Sequence, residues 1–302
     1  MRFGLVPAQW IDADGVASAV LYDKGVPGPK DIHFPEDFGD LEGKPCTVML
    51  DMRPKDPTFN GIVYDHHPGH PETRNYILHW DRKPASIIVY ESLLPTSPEL
   101  KGSWKVAVGA VGDGQPELIP KEVWEMNPIL LEEYGGIGSS YGEIRVWSRP
   151  LFHLLSSPIN SLCRINDPAE AIRVLKASNS PLDLLLAKSV SDAKEKIAKD
   201  RKQVLEDYPL IKFRTVNLLV FESPTRLEGI LSSELEGKTG KVTLVINKAT
   251  VPARFSLRGA YASLIAERLT KIGAEVGGHE AWMGGSIRDF NLEKLIEALQ
   301  GI

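Results

Sequence analysis

Four short apolar runs in this sequence break off at an aspartate, and that repeated ending constrains the fold more than any other feature. Phe3-Gly4-Leu5-Val6 is followed after a brief loop by Asp12-Ala13-Asp14-Gly15, and Cys46-Thr47-Val48-Met49-Leu50 stops at Asp51. Ile62-Val63-Tyr64 runs into Asp65-His66-His67-Pro68-Gly69-His70, and the run from Val106 to Val111 meets Gly112-Asp113-Gly114. Short continuous apolar runs read as strands buried on both faces, the kind found in parallel sheets covered by helices. Ligands of open α/β sheets sit beyond the carboxyl ends of the strands. The expectation is an α/β fold with its chemistry gathered at one sheet edge. Adjacent residues of an extended chain point to opposite sides, so His66 and His67 can serve different partners. Plainer explanations exist for single residues. Val16 to Tyr22 reads as a helix, which makes Asp14 an N-cap, and the histidine pair could be a surface turn. Asp12 has no such local task.

The 302 residues suffice for two domains. The first ten residues reach proline and polar side chains too early for a secretory signal, and no apolar run approaches the length of a membrane span. Cys46 and Cys163 have neither zinc-site spacing nor a disulfide framework, which points to a reducing, cytoplasmic setting. A net charge of −5 argues against electrostatic wrapping of duplex DNA. The charge is unevenly spread: residues 1–210 carry 23 Lys and Arg against 30 Asp and Glu, and residues 211–302 carry 12 against 10. An acidic front fits carboxylates awaiting cations, and a slightly basic back fits an anionic substrate.

Further along, Pro84 to Leu94 reads as a helix with proline in its first turn. Gly135 to Gly142 lacks a phosphate-loop lysine and reads as a loop. Leu182 to Tyr208 is the longest helical pattern, charge-laced in its second half and stopped by Pro209, as suits a connector. Beyond it, strand patterns (213–221, 241–246) alternate with helical ones (227–236, 260–272). Ala253 to Gly259 alternates like a half-exposed strand, with Arg254, Ser256 and Arg258 on one face. Gly277 and Gly278 beside His279 read as a turn that lets backbone approach a ligand. The organisation expected is a first domain over 1–181, a connector over 182–209 and a second domain over 210–302.

Carboxylates and imidazoles gathered at one sheet edge repel or stay protonated unless cations lie between them. Oxygen ligands with one or two imidazoles suit Mn²⁺ or Mg²⁺, and a pair of such ions typically lies ~3.5–4 Å apart. The ordered set Asp-x-Asp-Gly, strand-Asp, Asp-His-His, Gly-Asp resembles the DHH superfamily of phosphoesterases, which includes RecJ single-strand exonucleases, nano-RNases, cyclic-dinucleotide hydrolases and family II pyrophosphatases. Ser256-Leu257-Arg258 and Gly277-Gly278-His279 are similar to the DHH-associated domain of the exonucleases and nano-RNases.

The resemblance implies two α/β domains facing each other across a cleft, a parallel-sheet DHH domain and a smaller DHH-associated one. It implies a two-ion Mn²⁺ or Mg²⁺ site in which Asp14, His66 and Asp113 hold one ion, Asp51 bridges and Asp12 binds the second. Asp65 would orient a histidine without touching metal, and His67 would face the scissile phosphate. Arg258 and His279 would hold the substrate's phosphate or terminal nucleotide, with Arg254, Ser256, Gly277 and Gly278 in the same segments. One departure stands out. The family's histidine shortly before the first Asp-x-Asp is replaced by Ala8, Gln9 and Trp10, leaving the second ion underligated unless His70 or water completes it. The implied activity is exonucleolytic cleavage of single-stranded DNA or RNA. Alternatives are a nano-RNase or (cyclic) dinucleotide phosphodiesterase, and a catalytically degraded replication or repair scaffold, against which the intact acids argue. Implied partners are single-stranded nucleic acid or a short oligonucleotide, DNA repair or replication proteins and a second copy of the chain, with no membrane.

Overall fold

Parallel pairing organises the first part of the chain. The computed structural model describes residues 2–5, 11–28, 31–33, 48–54, 59–70, 72, 74–140, 143–279 and 281–300, with backbone alone for 2–5, 31–33, 136–140, 143–147 and 279. The strands β1 (Arg2–Leu5), β2 (Asp31–His33), β3 (Val48–Leu50), β4 (Ile62–Asp65) and β5 (Ile77–Trp80) form one sheet in the order β2-β1-β3-β4-β5. Every neighbouring pair in it is parallel. The order reverses between β1 and β3, and such a switch point opens a crevice beyond the strand ends. Asp51 directly follows β3, and Asp12 comes seven residues after the end of β1.

Helix α1 (Ala13–Gly25) follows β1 and is buried on nearly all sides. It packs against α2 (Ala85–Leu93) and α3 (Lys105–Gly112). The third of these corrects an expectation: the Val106–Val111 run is a helix and not a strand. Its small residues explain the outcome. A Cβ added at Gly109 would run into the Ser86 side chain and Asp14 Oδ1, and one at Gly112 would lie 2.9 Å from Ala13 Cβ. The run is built for close helix–helix approach, and that approach carries Asp113, the C-cap of α3, to the start of α1.

The chain continues through α4 (Lys121–Met126), the hairpin of β6 (Glu133–Ser140) and β7 (Glu143–Pro150), and helices α5 (Ser156–Arg164) and α6 (Pro168–Ala177). The segment expected as a glycine-rich loop is therefore largely strand, with residues 141 and 142 outside the described residues. The long helical pattern is divided into α7 (Pro181–Leu186) and α8 (Lys188–Asp207). Ser180 caps α7 in a reciprocal box with Asp183.

The chain separates into two compact units, one of Met1–Gly138 with Ile144–Ala193 and one of Ser139–Glu143 with Lys194–Ile302. The second contains β8 (Ile211–Lys212), β9 (Val216–Phe221), α9 (Glu228–Thr239), β10 (Val242–Asn247), β11 (Ala253–Arg258), α10 (Ala262–Lys271), β12 (Ala274–His279), β13 (Trp282–Ile287) and α11 (Leu292–Leu299). Its sheet runs β12-β13-β11-β10-β9-β8. Only the β9–β10 pairing in it is parallel. Leu218, Leu244, Phe255 and Leu257 belong to an apolar core with Ile265, Leu269 and Leu295 of α10 and α11. Strand β11 is buried along both faces, not half-exposed as expected, because polar Arg254 and Ser256 are covered as well. Gly277 and Gly278 lie within β12, so the expected turn begins only after His279. Among the described residues no helix is long and apolar enough to cross a membrane.

Candidate metal centre

The N-terminus of α1 is the base of the site, and the local roles of its two acids are the reverse of those expected. Asp12 is the N-cap: its Oδ1 accepts from the backbone N–H of Asp14 at 2.9 Å and of Gly15 at 3.3 Å. Asp14, fully buried in the first turn, instead accepts from the start of α2, Oδ2 from Ala85 N–H at 2.6 Å and Oδ1 from Ser86 N–H at 3.0 Å. Pro84 at that helix start offers no side-chain cap, so Asp14 satisfies the orphan donors from a distance.

Asp51 follows β3 with a left-handed backbone (φ 56°), a conformation that aspartate, asparagine and glycine adopt more readily than other residues. Its N–H donates to the Tyr64 carbonyl at 2.8 Å, which continues the β3–β4 ladder into the turn. His66 Nε2 lies 3.3 Å from Asp51 Oδ1 and 3.5 Å from Asp113 Oδ2. Asp14, His66 and Asp113 present ligand atoms within 4.8 Å of one another, and so do Asp51, His66 and His67. Asp12 belongs to neither set, although its charge acts on Asp14, Asp51 and Asp113. Ala8, Gln9 and Trp10, the places of the missing histidine, lie outside the described residues.

The acids of this cluster are held away from their ordinary ionisation. Burial, followed by the neighbouring acids, raises the Asp51 pKa well above its usual value. Burial and the charges of Asp14, Asp12 and Asp51 push Asp113 up to about 11. Burial also raises Asp14, against the lowering effect of its hydrogen bonds to Ser86. Asp51 Oδ1 and Asp113 Oδ2 are buried without a hydrogen-bond partner. Two orphaned carboxylate oxygens directed at one imidazole nitrogen, among acids that cannot all ionise together, fit a divalent cation.

Asp65 behaves differently. Fully buried, it takes His66 N–H at 2.9 Å, His67 N–H at 3.3 Å and His67 Nδ1 at 2.6 Å on Oδ1, and His70 Nε2 at 2.9 Å on Oδ2. Burial alone would raise its pKa, but the bonds and charges of His67 and His70 outweigh that and lower it. The bond to Asp65 raises the pKa of His67 in turn. His70 thus serves Asp65, with its other nitrogen 2.9 Å from the Tyr76 hydroxyl. His70 is therefore engaged by Asp65 and not free to complete the second ion's shell as expected from the sequence, and Tyr76 was not among the residues expected there. The three-residue spacing across Pro68-Gly69 was the available signal, since a tight turn returns the chain beneath the acid.

In the second unit, Arg258 Nη1 donates to the carbonyls of Leu257 and Met283 at 3.0 Å each, and its guanidinium lies 5.6 Å from the Trp282 ring. Ser256 accepts from the Ser232 hydroxyl at 2.9 Å, and Arg254 Nε is 3.9 Å from Glu228 Oε1. Burial, with Arg226 nearby, lowers the Arg254 pKa to about 9. The register places Arg258, Trp282 and His279 in one cross-strand row, and Ser256, Gly284 and Gly277 in the next. The His279 side chain lies outside the description. Trp282, 70 % exposed between two residues singled out from the sequence, was missed there. Its position shortly past the Gly-Gly-His stretch was the only signal.

No protein-family profile and no curated protein matches the sequence. Solved structures do. RecJ from Thermus thermophilus in complex with Mn²⁺ is 16% identical with a TM-score of 0.66, over 99% of this chain and 51% of that one. The chain thus spans about half the length of RecJ. The DHH domain of a member of a ribosomal-protein family is 14% identical with a TM-score of 0.57, over 98% of this chain and 85% of that one. An exopolyphosphatase-related protein from Bacteroides fragilis is 15% identical with a TM-score of 0.50, over 99% and 90%. At such identities the likeness is one of architecture: this chain has the two-domain α/β fold of the DHH proteins.

Proposed function

We propose that this protein is a divalent-metal-dependent phosphodiesterase that shortens single-stranded DNA or RNA from an end. The observation that carries the reading is the pair of orphaned oxygens, Asp51 Oδ1 and Asp113 Oδ2, buried on either side of His66 Nε2. Asp14, His66 and Asp113 would hold one Mn²⁺ or Mg²⁺, and Asp51 would bridge to a second ion bound by Asp12. Bound there, the ions would polarise a phosphoryl oxygen and make a water acidic enough to supply hydroxide near neutral pH. Asp65 holds the Nδ1 edge of His67, whose side chain is half exposed, so the Nε2 edge is available to a scissile phosphate. In this reading residues 1–181 form the metal-binding domain, 182–209 the connector and 210–302 the substrate domain.

Arg258 and His279 would take the substrate's terminal phosphate, with Arg254, Ser256, Gly277 and Gly278 around it. Trp282 beside the guanidinium offers a ring on which a base can stack, which inorganic polyphosphate could not use. The solved RecJ complex with Mn²⁺ supports the choice of ion by likeness of fold. A cytoplasmic setting, repair or replication partners and a homodimer are parts of the same reading. The test is hydrolysis of 5′-phosphorylated substrates graded from dinucleotide to long single strand, with Mn²⁺ or Mg²⁺ and with chelator. Metal-dependent release of mononucleotides from long single strands is expected. Cleavage of the shortest members alone makes it a nano-RNase, and no cleavage of any phosphodiester overturns the reading.

A further inference from the structure

We propose that His70 and Tyr76 form a buried positioning relay that fixes Asp65 and, through it, the tautomer and orientation of His67. The relay begins in the loop after β4. Pro68 and Gly69, the latter at φ 89°, turn the chain back on itself, and Arg53 Nη1 ties the turn by donating to their carbonyls at 3.1 and 2.9 Å. Trp80 Nε1 donates to the His67 carbonyl at 3.0 Å and holds the loop from β5. The turn delivers His70, its side chain 6% exposed, under Asp65.

The hydrogen bonds have a single consistent direction. A carboxylate can only accept, so His70 donates to Asp65 through Nε2 and His67 through Nδ1. A neutral His70 then accepts at Nδ1 from the Tyr76 hydroxyl. Asp65 Oδ1 has three donors, whereas the donor described for Oδ2 is His70. Loss of that donor leaves a buried carboxylate oxygen unmatched, and the carboxylate can regain a partner only by rotating away from His67. With the relay intact His67 carries its proton on Nδ1 and turns Nε2 outward. This is the logic by which a third group orients a catalytic base, extended here by two more residues.

The inference rests on the phosphodiesterase reading for what His67 does, and not for how His67 is held. His70→Gln and His70→Asn separate the relay from bulk: Gln places an amide N–H where Nε2 stands, and Asn reaches only toward Tyr76. The readout is the two-bond ¹H–¹⁵N pattern of His67 in ¹⁵N-histidine-labelled, Mg²⁺-loaded protein, together with kcat, KM and metal affinity on a 5′-phosphorylated dinucleotide. The wild type and His70→Gln are expected to show the Nδ1–H form of His67. His70→Asn is expected to show a mixture of the two forms, with kcat about tenfold to a hundredfold lower and KM and metal affinity unchanged. The same His67 pattern in both variants overturns the relay, as does equal kcat with only a lowered Tm in His70→Asn. If no phosphodiester is hydrolysed but the pattern shifts in His70→Asn alone, the relay stands and the proposed function falls.

Discussion

The carboxyl edge of the parallel sheet and the β11–β13 end of the second sheet both gather charged side chains, but they satisfy them in opposite ways. At the first, Asp51 and Asp113 keep buried oxygens without partners, and their pKa values are raised because the acids cannot all ionise together. At the second, Arg258 is tied to two carbonyls, Ser256 to Ser232, and Arg254 stands near Glu228. Acids held from ionising in the first region cost the bare fold stability, a cost that a cation bound as proposed would offset. In the second, Arg258 and Ser256 already have their partners within the fold, although Glu228 Oε1 beside Arg254 is buried without a hydrogen bond, so Arg258 and Ser256 serve the fold as well as any ligand. Mutations should therefore move stability and activity in opposite directions at one end and in the same direction at the other.

The largest effect belongs to the acids. Asp51→Asn is expected to lower phosphodiester hydrolysis on the order of a thousandfold or more, since it removes charge where the ions would meet. Asp113→Asn tests the stability half of the comparison. A carboxylate whose folded pKa is raised contributes stability that is full below its unfolded value, near 3.8, and is lost as pH rises toward the folded value of about 11. In chelator, wild-type Tm should fall relative to Asp113→Asn as pH rises from mild acid, and the variant should be the more stable near neutrality. Saturating Mn²⁺ should reverse that order. Full activity in Asp51→Asn, or a chelated Asp113→Asn less stable at neutral pH, breaks the comparison at its first term.

Metal binding gives the next contrast, within the site. Asp14, His66 and Asp113 form one set of ligand atoms and Asp51, His66 and His67 another, whereas Asp12 is occupied as a helix cap and His70 serves Asp65. Calorimetric titration with Mn²⁺ should show two unequal sites, their affinities differing by about tenfold or more, with activity following the weaker. Two equal, tight sites would mean that another ligand completes the second.

What the sequence made legible follows the same division. The strand-end acids were readable because a continuous apolar run stopped by aspartate has few uses inside a parallel sheet. The helix α3 was not, since Val106–Val111 is apolar on all sides and periodicity cannot tell a buried helix from a buried strand. The places of Asp12 and Asp14 were exchanged because a small shift of the cap is below what pattern resolves. Asp14 is bound to α2, 71 and 72 residues away, and no local pattern contains that. The polar row of β11 was legible as a row, but its burial was not, because α9 lies far from it in sequence.

At the second region the expected effects are smaller and coupled. Arg258→Lys cannot reproduce a fork that meets two carbonyls and still offers a bidentate edge to phosphate. KM should rise about tenfold to a hundredfold, from the loss of a charge-assisted bond, and Tm should fall, while metal affinity stays unchanged. An unchanged KM with a lowered Tm would reduce Arg258 to a structural tie.

The smallest effect sharpens the comparison most, because it sets two adjacent glycines against each other. Gly278 has φ 119°, and a Cβ there would strike the Trp282 carbonyl, so the fold itself demands glycine. Gly277 meets nothing within 4 Å of an added Cβ and its φ is not in the left-handed region. Glycine inside a strand ordinarily weakens it, by about 0.5–1 kcal/mol relative to alanine. The fold therefore gains nothing from glycine at 277, and the row it shares with Ser256 and Gly284 lies close to Trp282 and Arg258. A ligand lying flat against that strand would gain from the missing side chain. Gly278→Ala should cost about 1–3 kcal/mol of stability, from forced backbone strain. Gly277→Ala should leave Tm equal or slightly higher and still weaken binding of a nucleoside monophosphate, measured by calorimetry in the presence of Ca²⁺. Equal binding in Gly277→Ala would mean that no ligand reaches this strand, and would leave the second region a structural end of the sheet.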